Sequence, residues 1–360
     1  MLPSQWNFVM LRKVAVIGVG GIAGSHMGGW HASSHAEAVA AGDINAETAK
    51  QFAKKHDLSK WTDDVDSLIS DPEIEIIDLC TPTNLHTELV IAALEAGKHV
   101  VCEKPLAPNP DEIRRIIAVR DKAGKLVMTG MNQRYTGKHL AVKKEIESGR
   151  LGEIYYGRAW WLRRSHLPVR PGFIYKKNSA GGPCIDIGVH ILDLAMWFMD
   201  HPEPVTVSGV AGKHAAAVEG AFSDWGGDVP MDMDVEDFAC GFVRFANGMT
   251  MTLEVSWLMH HHSEDPRLWL YGDRGGAVLP DAALHWSDNQ LKQRYDATLT
   301  KFQEPFAGLG PQEAKVYDFA EAIADGRPSP VPPEEALHVM QILDGLYQSH
   351  ESSREVVLAR

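Results

Sequence analysis

The stretch Lys13-Val14-Ala15-Val16-Ile17-Gly18-Val19-Gly20-Gly21-Ile22-Ala23 decides the fold of the first part of this chain. Its first half is mostly apolar and predicts a buried strand, and its second half is a glycine turn that opens a helix predicted over 21–33. In that context Gly18 permits a tight turn, Gly20 lets the backbone approach a pyrophosphate, and Ala23 allows close helix–strand packing. The stretch therefore predicts a dinucleotide site with the phosphates at the helix N-terminus.

A second strand, predicted over 37–43, ends at Asp43. An acidic residue at this strand tip can bind both ribose hydroxyls of NAD and repels the 2′-phosphate of NADP. Ile44 and Asn45 follow, with no arginine to pair with a phosphate. We therefore expect NAD rather than NADP as the cofactor. The alternative is a glycine-rich turn in some other doubly wound domain.

The first part of the chain alternates β-rich runs with helical patterns. Strands are predicted at 13–18, 37–43, 74–80, 99–103 and 126–130, and helices at 21–33, 46–56, 84–97 and 110–123. Such alternation is typical of a parallel sheet with right-handed crossovers, whose ligands bind at the carboxyl ends of the strands. Residues 11–133 are thus predicted to form an α/β Rossmann domain, a doubly wound parallel sheet.

The pattern changes near residue 150, where longer strands follow one another. We predict strands at 153–164, 204–213, 234–246, 249–259 and 267–272, helices at 187–199, 311–325 and 333–352, and a long loop over 214–233. Asn247-Gly248 predicts a hairpin turn between two of these strands. Residues 134–360 are therefore expected to form a second α/β domain with an open, mostly antiparallel sheet, which binds substrate and carries the subunit contacts.

The composition of the chain limits the kinds of molecule that it is expected to bind. The chain has 360 residues, a net charge of −13 and 44% hydrophobic residues. The negative charge argues against nucleic acid and anionic membranes, and no apolar run is long enough to span a bilayer. The four cysteines are scattered, which favours reduced thiols and a cytoplasmic location. The first residues do not resemble a signal peptide, and translation is expected to start at Met1 or Met10.

Two segments carry residue types suited to chemistry. Lys104 follows a strand of the parallel sheet, and Asp186 and His190 are spaced to share one face of a helix. Oxidation of an alcohol needs a base for the hydroxyl proton and a group that holds the forming alkoxide. We assign the base to His190 and the oxygen contact to Lys104, with Asp186 orienting the imidazole or binding a neighbouring hydroxyl. The alternatives without a catalytic role are that Lys104 is a solvated loop residue and that His190 packs in the core.

Taken together, these segments resemble the Gfo/Idh/MocA oxidoreductase family, which includes glucose–fructose oxidoreductases and inositol dehydrogenases. The resemblance runs from Lys13 to about Val357 and rests on Gly18–Ala23, Asp43, Thr81-Pro82-Thr83-Asn84-Leu85-His86, Glu103-Lys104-Pro105 and the Asp186/His190 segment. It implies that the catalytic group is Lys104, Asp186 and His190. It also implies that the cofactor is contacted by Gly18, Gly20, Gly21, Ile22, Asp43, Thr81, Pro82, Asn84, His86, Glu103 and Lys104. We further predict that the Lys104–Pro105 peptide bond is cis.

The start of the second domain offers residues for a substrate that carries many hydroxyls. The candidates are Trp161, Arg163, Arg164 and Tyr175, beside Asp186 and His190. Alternation along a strand sends neighbouring side chains to opposite faces, so one of the two arginines can reach the cleft while the other meets solvent. The run His260-His261-His262 is not expected to bind a metal, because adjacent strand residues point in opposite directions.

The leading hypothesis is an NAD-dependent dehydrogenase of a sugar or cyclic polyol. One alternative keeps the same residues but retains NAD, so that transient oxidation drives epimerisation, elimination or glycoside cleavage. Another is a non-catalytic sugar or dinucleotide sensor, which is disfavoured because both Lys104 and His190 are present. An open sheet face needs cover, so we expect a homodimer or homotetramer.

Overall fold

The computed structural model describes residues 11–302, 306 and 308–359; Met1 and Met10, the two candidate start sites, lie outside them. The strands are β1 (Arg12–Ile17), β2 (Ala36–Gly42), β3 (Lys60–Thr62), β4 (Ile74–Leu79), β5 (His99–Cys102), β6 (Val127–Thr129), β7 (Ile154–Leu162), β8 (Pro204–Gly212), β9 (Phe222–Ser223), β10 (Gly227–Asp228), β11 (Phe238–Phe245), β12 (Thr250–Ser256), β13 (Asp265–Gly272), β14 (Gly275–Leu279), β15 (Ala283–Asp288), β16 (Gln293–Thr298) and β17 (Val356–Val357). The α-helices are α1 (Met27–Ala32), α2 (Ala46–Lys55), α3 (Val65–Ser70), α4 (His86–Glu95), α5 (Pro110–Ala123), α6 (Gly137–Glu147), α7 (Pro171–Ile174), α8 (Lys176–Ser179), α9 (Val189–Phe198), α10 (Pro311–Asp325) and α11 (Pro333–Ser352).

The first sheet is parallel and has the order β3-β2-β1-β4-β5-β6. This is the strand order of a doubly wound dinucleotide-binding domain, so the predicted Rossmann fold is confirmed. Its central strands are buried on both faces, as Val14, Ile76 and Val100 show. The sequence analysis missed β3 and α3, since both are short and the exposed Lys60 and Trp61 give β3 no apolar pattern.

The helix predicted over 21–33 is shorter and less regular than expected. A 3-10 turn at Ala23–Ser25 precedes α1, which ends at Ala32. Gly28 and Gly29 sit against α10, where an added Cβ would lie 2.0 Å from a Glu313 oxygen and 2.1 Å from the Glu313 carbonyl. These glycines allow close packing between the helices but weaken the helix itself, which accounts for the error.

The second sheet has the order β16-β15-β14-β13-β7-β12-β11-β8-β17. The β7–β12 pair is parallel and the others are antiparallel, which confirms an open, mostly antiparallel sheet. The sequence analysis missed β14, β15 and β16 because β14 begins with two glycines and β16 is largely exposed. The segment predicted as a loop over 214–233 contains the short β9–β10 hairpin.

The C-terminal helices return to the first sheet. Helix α10 packs on α1, and α11 packs on both α5 and β8. The predicted domain boundary at 133/134 stays a prediction, although the parallel sheet ends before it and the mixed sheet begins after it. None of the helices in the described ranges combines the length and apolar character needed to span a membrane.

A buried ion pair anchors the short 3-10 turn Asn132–Tyr135, which follows the last strand of the parallel sheet. Arg134 in this turn is 4% exposed, and its Nε lies 2.9 Å from a carboxylate oxygen of Asp193, which is 1% exposed. Its guanidinium also pairs with Glu335 on α11. One arginine thus joins this turn to α9 and α11.

We predict that Arg134→Met lowers the free energy of unfolding by about 3–5 kcal/mol, because it leaves the Asp193 carboxylate buried without its cation. Urea unfolding of the purified protein measures this change. The matched control is Arg115→Met, which removes a largely exposed arginine paired with Glu88 and should change stability little. Equal stability of wild type and Arg134→Met would contradict the prediction.

Candidate active site

A cleft of about 610 Å³ runs along the carboxyl ends of the parallel strands and faces the second sheet. The sequence-predicted residues that line it are Gly18, Gly20, Gly21, Ile22, Asp43, Thr81, Pro82, Glu103, Lys104, Asp186 and His190. Its volume falls in the range of small-molecule and cofactor sites. The structure therefore brings together, in one cleft, residues from two domains that are up to 172 positions apart.

The glycine turn forms an open cradle at one end of this cleft. Gly18 has φ +81°, and a Cβ there would lie 2.8 Å from Thr81 atoms, so this position needs glycine. A Cβ on Gly20 or Gly21 would meet no heavy atom within 4 Å. That open space leaves room for a ligand to approach the backbone, which fits a dinucleotide phosphate.

Three polar atoms in the cleft lack a hydrogen-bond partner among the described residues. They are Thr81 Oγ1, His190 Nδ1 and Gln312 Oε1, all buried. Buried polar atoms are nearly always paired in folded proteins. Three such atoms in the lining of one cleft support a ligand site there and do not depend on the motifs.

Lys104 and Asp186 meet across the cleft. The Lys104 Nζ donates to the Asp186 carbonyl oxygen at 2.8 Å and to its carboxylate at 3.2 Å. Lys104 lies just after β5, and the Lys104–Pro105 peptide bond is cis, as predicted. The pair is therefore a direct polar contact between the parallel sheet and the second domain.

Asp186 has two further neighbours, each of which directly follows a strand of the mixed sheet, β12 or β7. Trp257 Nε1 donates to its carboxylate at 3.1 Å, and the Arg163 guanidinium lies 3.7 Å away. Burial would raise the pKa of Asp186, but Lys104 and Arg163 outweigh it and hold the pKa below its ordinary value. Asp186 is thus an anion with a donor on each side.

His190 lies in the same cleft with its ring 6.4 Å from that of Trp161. Burial, aided by the positive charge of Lys104, lowers the pKa of His190 to about 3. The imidazole is therefore neutral at physiological pH, and a neutral ring can accept a proton.

The helix that carries these two residues begins differently from the prediction. Residues Cys184–Gly188 form a π-helical turn before α9. The buried Glu236 accepts the N–H groups of Gly182 and Cys184 at 2.9 and 3.1 Å and the Tyr347 hydroxyl at 2.8 Å. Glu236 thus holds the start of this turn, and such turns occur often at functional sites.

Glu103 lies behind Lys104 and is 7% exposed. Its carboxylate accepts the Lys104 N–H at 3.2 Å and also contacts His26 and Lys315. Burial would raise the pKa of Glu103, but Lys315 and His26 hold it well below its ordinary value. The residue therefore lines the cleft as a carboxylate and also supports the backbone of Lys104.

Six predicted contacts fall outside the residues that line this cleft, namely Asn84, His86, Trp161, Arg163, Arg164 and Tyr175. Asn84 is exposed and lines a neighbouring cavity. His86 is buried, and its ring nitrogens face the carbonyl oxygens of Thr81 and Pro105 at 2.8 Å, so it braces these loops from behind. Arg164 is exposed, and Tyr175 donates its hydroxyl to Asp232 at 3.0 Å. Of the two arginines that follow β7, Arg163 is buried and lies near Asp186, whereas Arg164 is exposed.

Several residues of the site escaped the sequence analysis. They include Arg170, Phe173 and Gln312, which line the cleft, and Trp257 and Lys315, which contact residues that do. Glu236, which holds the start of the π turn, was missed as well. Each stands alone in the sequence, without a motif. A lone buried lysine or glutamate in a helix or strand pattern is the only signal that the sequence carries for Lys315 and Glu236.

Comparison with known proteins agrees with a Rossmann domain followed by a second domain. A family model described as an oxidoreductase family with an NAD-binding Rossmann fold matches residues 12–131, and one for the GFO/IDH/MocA C-terminal domain matches 139–278. D-glucoside 3-dehydrogenase of Escherichia coli is 29% identical over 96% of this chain and 97% of its own length. Levoglucosan dehydrogenase of Pseudarthrobacter phenanthrenivorans is 30% identical over 79% of each. A levoglucosan dehydrogenase structure with NADH and levoglucosan superimposes with a TM-score of 0.83 and 25% identity, over 98% of this chain and 100% of its own.

The environment of His190 predicts its titration. Because burial and Lys104 lower the pKa of its ring to about 3, the ring signals of His190 should stay constant between about pH 8 and pH 5. Histidine NMR of the labelled protein measures this, with His190→Asn identifying the signal by its loss. A titration midpoint near the ordinary histidine pKa would contradict the prediction.

Proposed function

We propose, because this chain belongs to the GFO/IDH/MocA family of oxidoreductases, that it is an NAD-dependent dehydrogenase acting on a hydroxyl-bearing carbon of a sugar or cyclic polyol. The observation that carries the proposal is the meeting of Lys104, Asp186 and His190 beside a glycine cradle in one cleft. A cofactor and an alcohol can thus occupy the same cleft.

The residues of the cleft fit NAD better than NADP. Asp43 lines the cleft at the tip of β2, and its carboxylate accepts the Asn45 N–H at 2.9 Å. A carboxylate at that place can bind ribose hydroxyls and repels a phosphate. Ile44 beside it is 89% exposed and offers apolar surface for an adenine ring. The phosphates would lie against Gly20 and Gly21.

The proposed chemistry follows from the charges in the cleft. The bound nicotinamide supplies the hydride acceptor at its C4 atom. Lys104 donates a hydrogen bond to the substrate oxygen and stabilises the negative charge that develops there. Neutral His190, which lines the cleft, receives the hydroxyl proton on its imidazole. Asp186 orients Lys104 and stabilises the imidazolium once it forms.

A wall of aromatic and charged side chains beside Asp186 suits a sugar. Glu264 accepts hydrogen bonds from Trp161 Nε1 at 2.8 Å, Arg163 Nε at 3.3 Å and His166 Nδ1 at 3.0 Å. Trp161 presents a ring near His190, and the Arg163 guanidinium lies 4.6 Å from the ring of Trp225. Ring faces with fixed donors between them match the C–H faces and hydroxyls of a carbohydrate.

Two alternative functions would be distinguished from a dehydrogenase by the assay described below. A redox-neutral enzyme would keep its NAD through each turnover, and a sensor would bind without turnover. Neither is favoured, because the relatives reported above are named as dehydrogenases and because Lys104 and His190 share the cleft.

We also propose a cytoplasmic homodimer or homotetramer. The four cysteines are free thiols, which is typical of a reducing compartment. The helices α9 and α11 cover one face of the mixed sheet, while Val210 on β8 is 50% exposed. A second subunit would cover such a face, and light scattering of the purified protein tests this; a monomer would contradict it.

The test of function is NADH formation from NAD with a panel of inositols, aldoses, anhydrosugars and sugar acids, with NADP in parallel. Reduction of NAD by one substrate class supports a dehydrogenase. No NADH, with NAD still bound to the purified protein, would overturn the simple dehydrogenase in favour of the redox-neutral enzyme. Binding of a sugar and NAD without any conversion would favour the sensor.

Lys104→Met should lower kcat by about a hundredfold to ten-thousandfold, because the substrate oxygen loses its donor, while NAD still binds. Steady-state rates and a titration with NAD measure the two effects separately. The matched control is Lys122→Met on the exposed surface of α5, which should leave both unchanged. An unchanged kcat in Lys104→Met would contradict the assigned role.

A further inference from the structure

Four ionisable side chains form a buried charge cluster directly behind the cleft: His26, Asp78, Glu103 and Lys315. His26 Nδ1 lies 2.9 Å from the Asp78 carboxylate, and its Nε2 lies 3.1 Å from Glu103. Lys315 forms an ion pair with the same Glu103 oxygen. His26, Asp78 and Lys315 are 0% exposed and Glu103 is 7% exposed.

Each of the four ionisable groups has a hydrogen-bond or ion-pair partner within the cluster. Besides His26, Asp78 accepts the indole N–H of Trp30 at 2.8 Å. Burial would lower the pKa of His26, but Asp78 and Glu103 outweigh it and the pKa is raised. Glu103 is held as a carboxylate, and the Lys315 ammonium is paired with it. The Cys80 thiol lies 3.6 Å from His26 Nδ1, but that nitrogen already contacts Asp78, so these three residues are occupied by one another.

The cluster is not expected to contribute much to the stability of the fold. Burying charged groups costs several kcal/mol for each ion, and well-packed apolar residues often serve stability as well or better. The four residues come from separate elements, namely the turn before α1, strand β4, the end of β5 and helix α10. Their placement points to a role in the cleft that Glu103 lines.

The two redox states of a nicotinamide differ by one charge. The oxidised ring is a cation and the reduced ring is neutral. In a site of low dielectric, a nearby carboxylate favours the cation and a nearby ammonium opposes it. Glu103 lines the cleft beside Lys104, and Lys315 stands behind Glu103.

We infer that the buried charge cluster sets the ratio of the affinities for NAD⁺ and NADH. The Glu103 carboxylate raises the affinity for NAD⁺ relative to NADH. The Lys315 ammonium lowers that preference, so that the two affinities stay closer to each other. The inference rests on the proposed function only in requiring that the cleft binds the cofactor.

The two charges predict opposite effects on the ratio Kd(NADH)/Kd(NAD⁺). Lys315→Met removes a cation and should raise this ratio at least about tenfold, while Glu103→Gln removes the anion and should lower it by a similar factor. The double variant Glu103→Gln/Lys315→Met removes both charges and should return the ratio close to that of wild type. Calorimetric titration of each purified protein with NAD⁺ and with NADH gives both constants without any turnover.

Two controls separate charge from structure. Lys315→Arg keeps the cation and should keep the wild-type ratio. Lys98→Met removes another buried lysine, whose Nζ donates to the carbonyl oxygens of Asp71 and Ile74, at the opposite end of β5 from the cleft. A variant that merely loosens the fold weakens both cofactors alike and leaves the ratio unchanged.

The outcomes are distinct. Opposite shifts in the two single variants, with return in the double variant, support the inference. An unchanged ratio in both single variants, or shifts in the same direction, would overturn it even though the wild type binds both cofactors. Failure of the wild type to bind either cofactor would overturn the proposed function as well.

Discussion

The contact between Lys104 and Asp186 is the constraint to which the rest of the site is arranged. It joins a strand tip of the parallel sheet to the first turn of a helix in the second domain, at 2.8 and 3.2 Å. Each partner is held by a second layer of its own. Glu103 accepts the Lys104 N–H, and Glu236 accepts the N–H groups at the start of the π turn that carries Asp186. Both supports are buried carboxylates that receive backbone donors, an arrangement that leaves little freedom for either side chain of the pair.

Buried ion pairs also occur away from this contact. Lys315 on α10 pairs with Glu103 of the first domain, and within the second domain Arg134 pairs with Asp193 and Glu335. Such buried pairs contribute little net stability compared with apolar packing, but removing one partner leaves a costly unpaired charge. The small residues Gly28 and Gly29 let α10 approach α1 closely enough for Lys315 to reach Glu103.

The sequence analysis succeeded where a residue acts through a local pattern. The glycine turn, Asp43 at the end of β2, and Lys104 before Pro105 were all predicted in the cleft and are found there. It failed where tertiary packing overrides the local pattern. The first helix was predicted too long because its glycines serve contact with α10, and β14–β16 were missed because they have little apolar alternation. His86 lies next to a predicted cofactor loop in sequence, but its ring turns inward to two carbonyl oxygens.

The sequence by itself determined the Rossmann sheet, the mostly antiparallel second sheet, the glycine turn that lines the cleft, and Lys104, Asp186 and His190 as candidates. These depend on periodicity, on turn chemistry and on spacing along one element, all of which are local. Only the tertiary structure decided that Arg163 and not Arg164 meets Asp186, that Trp257 and Glu236 complete the second domain's part of the site, and that Lys315 balances Glu103 from more than two hundred positions away. The physical reason is that a buried charge must find its partner in space, and a lone lysine or glutamate in a sequence carries no mark of the partner that the fold will bring to it.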